Sequence, residues 1–376
     1  MHDILTFMKL LLSLLLVLVG SMSAQTSDEY LSAARAKAAL NDFNGAIADY
    51  TKALEIRPQD AVAYVDRGIC KAKLNDIDGA KADFSQAIDR DPQFAGAYYM
   101  RGKSKAFLKD LSSAMADFMK AAEIGPPVAE VYVQMGICKT GLNDTTGAIS
   151  DYAKAIEIDP HNADAYFYLA SSKQSMRDHR GAVADYTKAI EYNPQNATAY
   201  YNRGIIKAEL KSYGDAVVDF SKAIEIDPQY ADAFCNRGVS KAKLQDNAGA
   251  ISDYTQAIEI NPQYAGAYYN RGNSKNRLED YNGAIADFTK SIERDPRNAN
   301  AYCSRGNSKR GMQDNNGAIA DYTKAIELEP QFAMAYYNRG VVRIDVGLRD
   351  TGCQDLNRAR DLGMTAAQDE IVHSCK

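Results

Sequence analysis

The chain has 376 residues, with 44 basic and 49 acidic side chains and a formal net charge of −5. That balance is mild, and lysines and acids alternate instead of clustering, so the composition argues against nucleic acid as a partner. Its four histidines and six cysteines show neither metal-ligand spacing nor a CxxC pair, and no metal or other cofactor is expected.

The first thirty residues differ from the rest. Leu10 to Val19 is an almost purely apolar run, preceded by Lys9 and followed by Gly20-Ser21-Met22-Ser23-Ala24. This is the layout of a secretory signal peptide over residues 1–24, cleaved after Ser23 or Ala24. The run is short beside the ~20 apolar residues of a membrane span. The alternative is a retained N-terminal anchor, the one case in which a membrane would be a partner. Either way the remainder is expected outside the cytoplasm, periplasmic or extracellular.

From Ser27 onward the chain repeats itself. Pro58, Pro92, Pro126, Pro160, Pro194, Pro228, Pro262, Pro296 and Pro330 stand 34 residues apart, and only Pro127 falls outside the series. A fixed period of this size marks a stacked-repeat architecture. Units start near 27, 61, 95, 129, 163, 197, 231, 265, 299 and 333, and the array covers 27–366 without a linker.

The stretch from Tyr268 to Pro296 shows what one unit encodes. Tyr268, Gly272, Lys275 and Leu278 lie along one helical stripe, and Ala284, Phe288, Ser291 and Ile292 along another. Between them Asp280-Tyr281-Asn282-Gly283 is turn chemistry, with Asn282 a candidate N-cap. Asp295-Pro296 ends the second helix, since proline lacks the amide donor and pushes its predecessor out of helical geometry. Each unit is therefore a helical hairpin that buries its stripe only when stacked.

Small residues mark where the two helices touch. Ala46 and its counterparts through Ala318 share one place in the second helix. Gly68, Gly102, Gly136, Gly204, Gly238, Gly272, Gly306 and Gly340 share one in the first. Glycine in a helix costs about 1 kcal/mol relative to alanine, an expense that close approach of an aromatic ring offsets. Tyr50, Phe84, Phe118, Tyr152, Tyr186, Phe220, Tyr254, Phe288 and Tyr322 stand where that ring belongs. A base recurs as well, Lys37 through Lys309 and then Arg343, always with an acid in the second helix, Asp49 through Asp355. That pairing points to an ion pair within each hairpin or bridging to the next, with a charged ligand ladder as the alternative.

Three units bend the rule. The first has Ala34 at the glycine place, the third ends in Gly125-Pro126-Pro127, and the fifth carries Leu169-Ala170. The tenth drifts, and Leu362-Gly363 stops its second helix. Residues 367–376 read as a short helix capping the array. Cys70 and Cys138, like Cys235 and Cys303, repeat one place two units apart, too far for a bridge and suited to burial. Cys353 and Cys375 lie on the last helix pair and are a possible disulfide.

The period, the aromatic-to-proline pattern and its repetition resemble the tetratricopeptide repeat, over nearly everything after the N-terminal segment. Arginine replaces the pattern's leucine before glycine (Arg67, Arg101, Arg203, Arg237, Arg271, Arg305, Arg339), and lysine replaces the tyrosine three residues after it. The resemblance implies an all-α, right-handed α-solenoid (superhelix) of about ten helix-turn-helix repeats, in the manner of exported bacterial arrays.

It also implies a concave groove lined by the first helices, holding a peptide or protein segment. The groove places read Tyr99, Phe167, Tyr201, Tyr269 and Tyr337, then Asn202, Asn236, Asn270 and Asn338, and one turn on Lys103, Asn273 and Asn307. In each tyrosine doublet one ring should be core and the other groove. Amides pair with an extended backbone without selecting its sequence, and aromatic rings add area at low entropy cost. Related co-chaperones clamp a terminal carboxylate with two lysines, two asparagines and an arginine; the matching places here lack the lysine pair. No GxSxG, Walker loop or HExxH occurs, and the carboxylates recur as scaffold parts do, so no enzymatic role is expected. The reading is a protein-binding scaffold, with a carbohydrate- or cell-wall-binding protein or a membrane-anchored assembly factor or co-chaperone as alternatives. Oligomeric state is open.

Overall fold

The computed structural model describes residues 26–375; the segment read as a signal peptide lies outside them. Every regular element among the described residues is an α-helix. The helices divide into two compact units at Met176 and Arg177, between the two helices of the fifth repeat.

The first unit holds α1 (Ser27–Ala39), α2 (Phe43–Ile56), α3 (Ala61–Lys73), α4 (Ile77–Arg90), α5 (Ala95–Phe107), α6 (Leu111–Ile124), α7 (Ala129–Gly141), α8 (Thr145–Ile158) and α9 (Ala163–Ser175). The second holds α10 (His179–Tyr192), α11 (Ala197–Glu209), α12 (Tyr213–Ile226), α13 (Ala231–Lys243), α14 (Asn247–Ile260) and α15 (Ala265–Arg277). It continues with α16 (Tyr281–Arg294), α17 (Ala299–Gly311), α18 (Asn315–Leu328), α19 (Ala333–Asp345), α20 (Arg349–Asp361) and α21 (Ala366–Ser374). Inside each unit every helix packs on the next in the chain, so hairpin stacks on hairpin as in an α-solenoid.

The turn inside each hairpin follows from local chemistry. In the eighth repeat Glu279 N–H donates to Asn276 O at 3.1 Å and Asp280 N–H to Lys275 O at 3.0 Å, which closes α15. This closure puts Glu279 at φ 62°, a left-handed conformation that costs a residue with a Cβ about 1–2 kcal/mol. The N-cap of α16 is Asp280, whose carboxylate accepts the Gly283 N–H at 2.9 Å. Asn282 is therefore inside the first helical turn, which corrects the sequence expectation. A Cβ at Gly283 would lie 2.1 Å from Asp280 Oδ2, so a larger residue there makes the capping carboxylate shift. Where serine replaces that glycine, at Ser113, the cap to Asp110 lengthens to 3.3 Å.

The core of each hairpin is the expected glycine–aromatic contact. A Cβ added at Gly272 would sit 2.9 Å from Phe288 Cε1, and one at Gly136 would sit 2.4 Å from Tyr152 Cε1. The alanines from Ala46 to Ala318 are fully buried beside those rings. Gly125 serves a different approach, since its Cβ would meet that of Ala95 at 2.8 Å. At the chain's end Cys353 and Cys375 form a disulfide that ties α21 to α20. Arg349 adds a hydrogen bond to Ser374 O at 2.6 Å. Cys70, Cys138, Cys235 and Cys303 are buried free thiols; burial pushes Cys303 up to about 11.

Candidate functional site

The repeated acids and bases form a scaffold of a specific kind. Arg203 Nε and Nη2 donate in parallel to Asp219 at 2.9 and 2.7 Å, and Lys207 Nζ lies 2.8 Å from the same carboxylate. The third arginine nitrogen, Nη1, reaches Thr187 Oγ1 on the preceding hairpin at 3.0 Å, while the guanidinium rests over the Tyr200 ring. The ion pair thus closes each hairpin, and the arginine adds a link to the hairpin before. The same constellation recurs at Arg67–Asp83, Arg101–Asp117, Arg237–Asp253, Arg271–Asp287, Arg305–Asp321 and Arg339–Asp355. The sequence carried a signal for it in the constant spacing of arginine and aspartate, which reading the arginine only as a replacement for leucine missed.

The residues assigned to a groove lie on the first helices, but most already have partners. Tyr99, Tyr201 and Tyr269 pack on Phe118, Phe220 and Phe288 of their own hairpins, with ring centroids 5.9, 5.8 and 5.8 Å apart. Their doublet partners Tyr98, Tyr200 and Tyr268 lie under arginines. Both rings of a doublet are half-buried; Tyr268 packs against the core cluster of the hairpin before it, while Tyr269 lines a cavity. Stacking sandwiches each first helix between two second helices, so adjacent positions both meet a neighbour. Phe167 lies edge-on to Tyr168 at 5.3 Å, and Tyr337 is half-buried. Lys103 is exposed, with its ammonium 5.5 Å from the Tyr99 ring centre.

The asparagines run mostly between neighbouring elements. Asn202 donates to Tyr186 Oη at 3.2 Å, and Asn236 donates to Tyr201 Oη and Asp232 O at 3.0 Å each. Asn338 donates to Asn307 Oδ1 at 2.9 Å and lies 3.8 Å from Cys303 Sγ. Asn307 also accepts from Tyr322 at 2.9 Å. Asn270 lies 4.0 Å from Cys235 Sγ. The Asn273 side chain makes no hydrogen bond among the described residues. Burial raises the Tyr201 hydroxyl to about 12, so it stays a neutral donor.

Several of these residues border cavities. In the first unit Tyr99 borders one of about 230 Å³ with Pro126 and Val128, beside Glu130, which accepts from Tyr99 at 3.4 Å. Lys103 borders another of about 250 Å³, whose lining also includes Ile69, Lys73, Met100 and Phe107. In the second unit the C-terminal halves of α13 and α15 enclose about 390 Å³ over Tyr254 of α14. That cavity brings together Tyr269, Asn270 and Asn273 with three side chains the sequence reading did not select, Lys243, Asn276 and Arg277.

A family model described as TPR repeat matches residues 178–211, 241–278 and 306–347. Models described as tetratricopeptide repeat match 197–230 and 265–298, 37–103, and 95–126 and 129–162. Among solved structures, the chain is similar to a tetratricopeptide repeat protein from Parabacteroides merdae. The identity is 20%, the match covers 66% of this chain and 99% of that one, and the TM-score is 0.49. It is similar to pilF of Pseudomonas aeruginosa at 22% identity, covering 55% and 94%, with a TM-score of 0.48. MamA shares 26% identity over 46% of this chain and 93% of its own, with a TM-score of 0.43. The comparison with curated proteins finds no match.

Proposed function

The chain belongs to the tetratricopeptide repeat family, and from that premise we propose that it is a non-enzymatic scaffold whose first helices hold a segment of another polypeptide. Arrays of this family mediate protein–protein contact, and protein or peptide partners follow from membership. The observation that carries the finer reading is the cavity of about 390 Å³ between α13 and α15, where the Asn273 side-chain amide has no hydrogen bond among the described residues, beside the half-buried Tyr269. A free amide offers one acceptor and two donors to an extended backbone. The non-enzymatic reading draws support from the repeated carboxylates, which are tied up by arginine and lysine within the hairpins. We place the scaffold outside the cytoplasm, periplasmic or extracellular; the apolar run of residues 10–19 supports this, as does the Cys353–Cys375 disulfide, a bond that persists in oxidising compartments.

The test is binding of the mature protein to paired arrays of synthetic peptides and of glycans. The expected result is binding to a subset of peptides that weakens in Asn273→Ala. Glycan binding abolished by Tyr269→Ala, with no peptide bound, would replace this reading with the carbohydrate one.

A further inference from the structure

Tyr254 is a core tyrosine with one end unaccounted for. Its ring lies against Gly238 and the residue is 2% exposed, yet its hydroxyl makes no hydrogen bond to protein among the described residues. Three tyrosines at the same place in other repeats solve this problem in three ways. Tyr322 donates to Asn307, fifteen residues before it. Tyr152 shares a hydrogen bond with Thr140, twelve before. Tyr186 accepts from Asn202, sixteen after. Counted from Tyr254 the same offsets fall on Val239, Ala242 and Asn270. The first two have no polar side-chain atom, and Asn270 is turned toward Cys235.

The hydroxyl is not sealed in, and the residue lines the cavity between α13 and α15. Lys243 and Arg277, at the ends of those two helices, border the same space. Neither has an ion-pair or hydrogen-bond partner among the described residues, and no acidic side chain lines the cavity. Two residues earlier in the same helices, Lys241 and Lys275 hold Asp253 and Asp287. The cavity thus collects two uncompensated cations, a nearly buried hydroxyl and the amide of Asn273, all able to donate.

We infer that this cavity is an anion subsite for a carboxylate carried by the bound polypeptide. Arg277 meets the carboxylate with its planar fork, Lys243 adds the second charge, and Tyr254 supplies a neutral hydrogen bond from below. The inference deepens the peptide-binding reading and rests on it. It differs from the carboxylate clamp weighed from the sequence, because its cations stand at the C-terminal ends of the helices and not at the groove places.

The experiment uses the full mature chain and short synthetic peptides in matched pairs. One set exchanges Glu for Gln or Asp for Asn; another exchanges a free C-terminus for an amide. Wild type is expected to favour the charged member of a pair by about tenfold, the scale of one charge-assisted hydrogen bond. Arg277→Gln and Lys243→Gln, both at exposed positions, should lose that preference while still binding the neutral members. Tyr254→Phe should reduce it. The pair type that shows the effect identifies the source as side chain or chain terminus, and either result supports the subsite. Peptide binding with no preference in wild type, or a preference kept by Arg277→Gln, overturns the subsite and leaves the scaffold reading standing. Failure of every peptide to bind overturns both.

Discussion

Asp219 on α12 accepts two parallel hydrogen bonds from Arg203 on α11 while Lys207 holds the same carboxylate, and the acid is only 2% exposed. Asp219→Asn strips the charge that two bases face. The expected loss is about 3 kcal/mol, the cost of breaking a largely buried pair, read from the urea midpoint. Asp246→Ala is an instructive partner, because Asp246 caps α14 through the Gly249 N–H at 2.8 Å. It should cost about 1 kcal/mol. Equal losses in the two variants count against the fork.

The fourth repeat lacks the fork. Met135 stands at the arginine place, so Asp151 has Lys139 alone, at 2.7 Å. Burial raises the Asp151 carboxyl above its ordinary range, and Lys139 offsets this only in part. A raised folded-state value means that this group favours folding below its unfolded pKa and loses that contribution as pH climbs through the folded one. Asp151→Asn should therefore gain stability relative to wild type as pH rises from about 4 to 7. A difference that stays constant across that range contradicts the assignment.

Two glycines should answer alanine with opposite signs. Gly272→Ala drives a Cβ to within 2.9 Å of the buried Phe288 ring and should cost about 1–3 kcal/mol. Gly214, near the start of α12, has open space around it. Gly214→Ala should raise stability by about 0.5 kcal/mol through helix propensity. Thermal midpoints that move the same way in both would refute the close-approach account.

What the sequence made legible is what the repeat copies. Gly272 against Phe288 and Asp219 beside Lys207 were readable because each place recurs every 34 residues with correlated chemistry. The cap was misplaced because Asp280 and Asn282 are both competent, and only the geometry of the preceding helix end decides between them. Arg203 was visible as a departure, but its fork to Asp219 depends on a rotamer that spans two helices. The site was less legible still. Asn270 and Asn236 recur like groove residues, yet stacking turns them toward Cys235 and Tyr201 of the hairpin before. The unpartnered hydroxyl of Tyr254 depends on which side chains of the neighbouring helices reach it, and Val239 and Ala242 bring no polar atom; such a conjunction carries no periodic signal.

Two tyrosines at one repeat position separate satisfied from unsatisfied hydroxyls. Tyr322→Phe loses a hydrogen bond to Asn307 at 2.9 Å and should cost about 1 kcal/mol. Tyr254→Phe removes a hydroxyl with no protein partner and should leave stability within about 0.5 kcal/mol of wild type. A matching loss at Tyr254 in denaturant titrations would show that its hydroxyl is already paired.

The central claim is that a polypeptide lies on the face of the first helices. Photo-crosslinking addresses it most directly, with the reactive residue placed either at Asn273 on α15 or at Gln256, an exposed side chain of the second helix α14. The probe is the tightest peptide from the array. Capture from position 273 and none from 256 is the expected result; capture from 256 with none from 273 would put the ligand on the opposite helices and contradict the account.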